Sequence, residues 1–156
     1  MLRLLVLILF PVLSFGQLKD TTGFLNKIAS IESKGNYNVV GGASGKYFGK
    51  YQFSNIALRE IGWGHITVSK FKVNKSVFPP EKQEQAMILL LDRYRYYLSK
   101  EISRYSENYF NSIHVSTAGI LAAVHAVGFS EVKAYFKNCS SKTKVVERYL
   151  RLFSEY

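Results

Sequence analysis

The chain has one cysteine, Cys139, among its 156 residues. It therefore forms no intramolecular disulfide, and its folded state depends on a packed core. This cysteine lies in the polar stretch "KNCSSK", which is not the setting expected of a catalytic nucleophile. Acidic side chains are also scarce, because 11 acids are present beside 21 lysines and arginines.

Long apolar runs are absent after the N-terminus. Residues 1–16 have the features of a secretory signal, namely Arg3, an apolar run over residues 4–13, and the small residues Ser14 and Gly16. That run is shorter than the roughly 20 residues of a transmembrane helix, although an uncleaved N-terminal anchor is the alternative. We expect cleavage before Gln17, one domain over residues 17–156, and a secreted, periplasmic or cell-envelope location with no stable membrane span.

The surplus of basic side chains indicates an anionic partner. The net charge is +10 for the whole chain. It is +9 without Arg3, because 20 basic and 11 acidic side chains then remain. For an exported protein, acidic polymers of the cell envelope are the expected partner, and nucleic acid is not expected. Charge that serves solubility alone is the other interpretation.

Helical periodicity and capping residues predict a mainly helical domain. Asp20 offers an N-cap oxygen before apolar residues at helical spacing, and Gly35 provides a stop signal. The helix that begins at Pro80 is expected to be the central core helix. After the first helix, the predicted helices run from Ser54 to Ile61, from Pro80 past Ile102, from Ser116 to Gly128, from Ser130 to Phe136 and around residues 145–153.

Two stretches depart from this helical pattern. The β-prone pieces "YNVV" and "YFGKYQF" are separated by glycine-rich turns, which predicts a small β-hairpin region. Residues 63–79 show no sustained period and are expected to form a long connection. The predicted fold class is therefore mainly α, of α+β type: a single helical domain with a small β-hairpin region beside a cleft.

Glu32 is the strongest candidate for chemistry. It follows Ile28 by four residues, so its carboxylate is expected on the apolar side of the first helix. Partial burial favours the protonated form of a carboxylate, which a proton donor requires. A frayed acid at a helix end, paired with a surface lysine, is the alternative interpretation. The following stretch, "GNYNVVGGASGKYFGKYQF", adds glycines that permit close approach of a ligand and tyrosines whose flat faces suit sugars.

Other catalytic signatures are absent from the sequence. The three histidines, His65, His114 and His125, show no metal-ligand spacing, and no metal or other cofactor is expected. Neither a Gly-x-Ser-x-Gly motif nor a convincing Cys/His pair is present. His125 lies in a very apolar helix, where it is either a satisfied core histidine or a residue of the cleft.

Three segments in order resemble the lysozyme-like superfamily, in particular soluble lytic transglycosylases and phage-type peptidoglycan-cleaving domains. Glu32-Ser33 precedes "GKYFGKYQF", which is similar to the family's Gly-x-x-Gln segment through Gly49 and Gln52. The segments "FPPEKQEQAM" and "AGILAAVHAVGFSEVKAYF" resemble the opening of the family's central helix and its buried Ala-x-His or Ala-Tyr-Asn helix. Val124 replaces a tyrosine that many transglycosylases carry there.

The resemblance implies a peptidoglycan lytic transglycosylase that cleaves the bond after N-acetylmuramic acid with a single glutamate. Glu32 would be the catalytic acid and then the base, and His125 occupies the family's Asn or His position. Gln52, Tyr51 and Ser44 would contact the glycan. The expected product is a 1,6-anhydro sugar, and the expected protein is a monomer that acts on peptidoglycan strands.

Three other functions remain open at this level. A muramidase would use water in place of the sugar's own hydroxyl, and a lysozyme-like fold can host either outcome. A non-catalytic peptidoglycan-binding module would keep the cleft without the chemistry. A basic nucleic-acid-binding protein would stack its tyrosines on bases.

Overall fold

The computed structural model describes residues 18–42 and 44–156, so the predicted signal over residues 1–16 lies outside the described residues. The first helix, α1, spans Thr21–Ser33. Its N-cap is Asp20, whose carboxylate accepts a hydrogen bond from the Gly23 amide, as the sequence predicted. The helix ends where Lys34 adopts a left-handed conformation, with φ 56°.

The described residues form a mainly helical fold with two small antiparallel sheets. The remaining helices are α2 (Asn55–Glu60), α3 (Val68–Val73), α4 (Pro80–Tyr97), α5 (Ser99–Tyr105), α6 (Thr117–Val127), α7 (Phe129–Tyr135) and α8 (Thr143–Leu152). None of the described helices is long and apolar enough to cross a membrane.

The predicted hairpin region is a three-stranded antiparallel sheet. Its strands are β1 (Val40–Gly41), β2 (Tyr47–Phe48) and β3 (Phe53–Ser54), with β2 in the middle. Phe48 pairs with Phe53 and both side chains are fully buried. The sheet is therefore anchored to the helical core through its aromatic residues.

The core centres on α6, and not on α4 as the sequence suggested. Residues 117–124 of α6 are all buried, as expected for a helix that is apolar on every side. Ser116 caps it by accepting a hydrogen bond from the Gly119 amide. Gly119 faces α8, where an added Cβ would lie 3.1 Å from the Leu150 Cα. The absence of a side chain at Gly119 therefore permits close packing of α6 against α8.

Residues 63–79 are not the irregular connection that the sequence predicted. They contain α3 and a 3-10 turn over Lys75–Val77. The Thr67 hydroxyl caps α3 by accepting from the Lys70 amide, and Phe71 is fully buried. A helix this short carries only one buried apolar side chain, so no sustained period was visible in the sequence.

Two helix boundaries also differ from the predictions. The long helix from Pro80 stops at Leu98, where φ is −110° and ψ is 18°, and α5 begins as a separate helix. The apolar period continues through Ile102 because both Leu98 and Ile102 are buried. The next boundary lies at Gly128, which precedes α7 with φ 87°, so Ser130 lies inside that helix and does not cap it.

A second hairpin was missed. Strand β4 (Asn108–Phe110) pairs with β5 (Ile113–Val115) through a two-residue turn. Asn111 and Ser112 both have positive φ, at 48° and 60°, which is typical of a tight hairpin turn. The sequence lacks a glycine at this turn, and glycine is the usual signal for it.

The contact between α6 and α8 predicts the effect of Gly119→Val. A valine side chain would meet the α8 backbone, and overpacking of this kind costs about 1–3 kcal/mol. The small gain in helix propensity over glycine does not offset that cost. Urea denaturation should show a lower free energy of unfolding, whereas Ala126→Ser on the exposed side of α6 should change it by about 0.5 kcal/mol or less. Unchanged stability of Gly119→Val would contradict the close packing.

Candidate functional site

Glu32 lies in the last turn of α1 and is half-buried. Its Oε1 accepts a hydrogen bond of 3.1 Å from the Tyr149 hydroxyl. Tyr149 is a buried residue of α8, and its ring lies parallel to that of Phe153 with centroids 6.1 Å apart. The last helix of the chain thus orients the acid at the end of the first.

The protonation state of Tyr149 makes it a dependable donor. Burial, together with the charge and the hydrogen bond of Glu32, raises the pKa of Tyr149 to about 12. The phenol is therefore neutral at physiological pH. Because Oε1 of Glu32 accepts this hydrogen bond, Oε2 is the oxygen left for a proton that is given to a ligand.

Ser33 connects Glu32 to the segment that we call the Gln52 loop, residues 49–52. The Ser33 hydroxyl donates a hydrogen bond of 2.6 Å to the carbonyl of Lys50. Gly49 and Gln52 have left-handed φ angles of 78° and 52°, so the loop turns sharply between β2 and β3. The resemblance to a Gly-x-x-Gln segment therefore falls on a loop that is joined directly to the end of α1.

Gln83, at the start of α4, is hydrogen-bonded to the Gln52 loop. Its buried amide accepts from the Lys50 amide at 2.7 Å. It donates to the carbonyls of Phe78 at 2.7 Å and Tyr37 at 3.1 Å. A Cβ at Gly49 would overlap with the Gln83 side chain, so glycine is required at that position.

Glu84 is the acceptor of a second set of bonds to the same loop. Its carboxylate accepts from Tyr51 Oη at 2.6 Å, Tyr37 Oη at 2.7 Å and Lys50 Nζ at 2.8 Å. Burial alone would raise the pKa of Glu84, but the bonds from Lys50, Tyr51 and Tyr37 outweigh it and hold the pKa below its usual value. Glu84 is therefore an ionised anchor, not a proton donor.

Tyr51 belongs to this anchor, so its predicted role is corrected. Its side chain is fully buried, and its hydroxyl is bonded to Glu84. Burial and the Glu84 bond both raise the pKa of Tyr51, which keeps the phenol neutral. The Tyr51 ring is not available to contact a sugar, and its contribution is to hold the Gln52 loop.

His125 joins the Gln52 loop to α6. Its Nε2 lies 2.7 Å from the carbonyl oxygen of Tyr51, and because a carbonyl only accepts, Nε2 carries the proton. Nδ1 is buried and has no hydrogen-bond partner among the described residues. His125 is thus a half-buried residue that is bonded to the Gln52 loop and, as shown next, forms part of a cavity wall.

A cavity of about 320 Å³ lies between the three-stranded sheet, α2, α4 and the junction of α6 with α7. Gln52 and His125 both line it. Its wall includes Tyr47, Gln52, Glu60, Tyr94, His125 and Phe129. Glu32 is not part of this wall, and Ser44 is an exposed residue of the turn between β1 and β2.

Gln52 is held in one orientation within the wall. Its side-chain amide donates to the Gly49 carbonyl at 2.9 Å. The same side chain covers Gly41 so closely that a Cβ at Gly41 would overlap with it. This packing links β1 to the Gln52 loop and leaves no room for a larger residue at position 41.

The sequence neighbours of Glu60, namely Arg59 and Gly62, predict an exposed carboxylate. It is half-buried at the end of α2, lines the cavity and accepts a hydrogen bond of 3.1 Å from the Tyr97 hydroxyl. Tyr149 and Glu84 were also missed as parts of the site. Their partners lie far away in the sequence, and the only local signal was the polar run "EKQEQ" at the start of an otherwise amphipathic helix.

Among the described residues, no three His, Cys, Asp or Glu side chains form a group that could hold a metal ion. Comparison of the chain with protein-family models, curated proteins and solved structures found no match. The functional assignment therefore depends on the local sequence resemblance and on the contacts of Glu32, the Gln52 loop and the cavity.

The Tyr149–Glu32 contact predicts a pH dependence of stability. A free tyrosine ionises near pH 10, whereas Tyr149 in the folded chain keeps its proton to about pH 12. The folded state binds more protons in this window, so the free energy of unfolding falls as the pH rises through it. Tyr149→Phe should make this fall shallower, as measured by urea unfolding at about pH 9 and about pH 11.

Tyr109→Phe, at an exposed phenol on β4, is the matched control and should leave the slope unchanged. Equal slopes for wild type and Tyr149→Phe would show that the Tyr149 proton is not held by the fold.

Proposed function

We propose that the protein is an exported peptidoglycan lytic transglycosylase with a lysozyme-like fold. One observation carries this proposal: a half-buried glutamate ends a helix whose next residue, Ser33, is bonded to the loop that places Gln52 in the wall of a cavity. The cavity offers the ring of Tyr47, the amide of Gln52 and the imidazole of His125. These groups suit a sugar, which has both apolar faces and hydroxyl groups.

Glu32 would first act as a general acid. Oε2 gives its proton to the glycosidic oxygen, while Oε1 keeps the hydrogen bond from Tyr149. The bond from C1 of the N-acetylmuramic acid residue to that oxygen breaks, and the electron pair leaves with the oxygen. The resulting Glu32 carboxylate then takes the proton from the 6-hydroxyl of the same sugar as its oxygen attacks C1, which closes the 1,6-anhydro ring and restores the acid.

The remaining residues would position the strand. Gln52 and His125 contact sugars in the cavity, and Ser44 provides a hydroxyl near the edge of the sheet. Tyr51 and Glu84 act indirectly by holding the Gln52 loop. The expected enzyme is a secreted or periplasmic monomer, and acidic envelope polymers would attract its basic surface.

Muramidase activity is the second candidate, and Glu60 is the observation that favours it. Hydrolysis with inversion needs a second carboxylate roughly 6.5–9.5 Å from the acid to activate water. Glu60 is the acid in the cavity wall. A non-catalytic peptidoglycan-binding module is the alternative from a different class, because the same cavity could bind a strand without cleaving it.

Glu32→Gln tests the catalytic assignment. The amide keeps the size of the side chain and removes the transferable proton, so release of soluble fragments from isolated peptidoglycan should fall by about 10²- to 10⁴-fold. Glu81→Gln, at an exposed acid in the first turn of α4, is the control and should retain wild-type activity. Circular dichroism should show that both variants are folded. A Glu32→Gln variant as active as the wild type would refute the assignment.

Mass spectrometry of the released fragments separates the candidate functions. Anhydro ends identify a transglycosylase, and Glu60→Gln should then still produce them. Reducing ends that disappear in Glu60→Gln identify a muramidase with Glu60 as the base. Binding of peptidoglycan without release of any fragment by the wild type would identify the non-catalytic module.

The charge of the chain predicts salt-dependent binding to cell-wall material. Attraction between exposed charges is screened over about 8–10 Å at moderate salt. Sedimentation with isolated sacculi should therefore retain clearly less protein at about 0.5 M salt than at about 0.05 M. Retention that does not change with salt would show that the basic surface plays no part. Tight binding to duplex DNA without wall binding would favour the nucleic-acid alternative.

A further inference from the structure

Three aromatic rings form a continuous surface beside the cavity, which we call the aromatic ladder: Tyr96, Tyr97 and Phe129. Tyr96 and Tyr97 end α4, and Phe129 begins α7. The ring centroids are 5.8 Å apart for Tyr96 and Tyr97 and 5.3 Å apart for Tyr97 and Phe129. Tyr96 is 73% exposed, Phe129 is 39% exposed and Tyr97 is half-buried, so each of the three residues presents surface to solvent.

The aromatic ladder runs from one cavity to another. Phe129 lines the 320 Å³ cavity of the candidate site. Tyr96 lines a second cavity of about 290 Å³, together with Ile61 and Arg93. Tyr97 lies between them and donates its hydroxyl to Glu60, whose carboxylate is in the first wall. A ligand in the first cavity that continues past Phe129 would therefore meet Tyr97 and Tyr96 in order.

A contiguous exposed apolar patch, unlike a single exposed aromatic residue, marks a candidate binding surface. The charges beside the rings are of both signs. Arg93 lies over the Tyr97 ring at 5.8 Å and Lys133 over the Phe129 ring at 6.0 Å, measured to the centroids.

The two acids beside the ladder are Glu60 and Asp92, and Asp92 is paired with Arg95 at 3.1 Å. A nucleic-acid site needs an excess of cations along the backbone path. This mixed surface, on a chain with a net charge of +10, instead suits a ligand that carries fewer charges along its length than a nucleic acid does. A sugar has an apolar face that packs on an aromatic ring, and it has hydroxyl groups that hydrogen-bond to the polar side chains beside the aromatic rings.

We propose that the aromatic ladder binds the part of a peptidoglycan glycan strand that extends beyond the cavity. The protein would then prefer long strands to short fragments. This inference rests on the proposed function, because the strand enters the ladder from the cavity. It adds a second binding region, formed by Tyr96, Tyr97 and Phe129, that takes no part in the bond cleavage assigned to Glu32.

Tyr96→Ala tests the ladder. The experiment uses folded Glu32→Gln protein, so that strands are bound and not consumed. The dissociation constant is measured for peptide-free glycan strands and for a tetrasaccharide cut from them. Loss of one stacking ring should weaken binding of the long strands by about threefold to tenfold and leave tetrasaccharide binding unchanged. Tyr96→Phe keeps the ring, so its dissociation constant for long strands should lie within about twofold of that of the Glu32→Gln parent.

Tyr109→Ala is the matched control, because Tyr109 is 75% exposed on β4 and lies outside the ladder. It should bind both ligands as the parent does. The proposal is overturned if Tyr96→Ala binds long strands as tightly as the parent, or if Tyr109→Ala weakens them equally. Loss of oligo-dT binding by Tyr96→Ala with unchanged strand binding would assign the rings to nucleic acid.

The ladder and the proposed function can fail separately. If the wild type releases anhydro fragments but the Glu32→Gln parent binds long strands and tetrasaccharide equally, the proposed function is supported and the ladder proposal is wrong. If the Glu32→Gln parent binds strands through Tyr96 but the wild type releases no fragments, the ladder proposal is supported and the protein is a non-catalytic binding module. Absence of binding to either glycan overturns the ladder outright.

Discussion

The site depends on the ionised carboxylate of Glu84 and the three donors that surround it. Lys50, Tyr37 and Tyr51 satisfy this charge, and removing any of them would leave part of it unpaired in a half-buried position. The carboxylate thereby holds one conformation of the Gln52 loop, with Gln83 fixing the Lys50 amide beside it. A left-handed Gln52 in a tight turn is costly on its own, and this network opposes that cost.

The Gln52 loop is the part of the molecule where three helices meet. α1 reaches it through Ser33, α4 through Gln83 and Glu84, and α6 through His125, each by a hydrogen bond to the loop. The acid of α1 and the cavity beside α6 are thus positioned by the same four residues. Because the loop is bonded on several sides, a change in one helix would be transmitted to both the acid and the cavity.

Much of the fold follows from local signals in the sequence. Asp20, Ser54 and Ser116 cap helices as predicted, because a side-chain oxygen satisfies a free amide wherever the chain starts a helix. The missed elements lack such signals. The β4–β5 turn uses Asn111 and Ser112 in place of glycine, and the break at Leu98 interrupts an apolar period that continues without a gap.

The candidate site was predictable only where its residues are close in sequence. Glu32, Gln52 and His125 were identifiable because each lies in a short segment with its own pattern. Tyr149 was not, since it lies 117 residues after Glu32 and is placed beside it by the packing of α8 on α6 at Gly119. The orientation of the acid is consequently a property of the folded chain from its first helix to its last, and the site cannot be complete until α8 has docked.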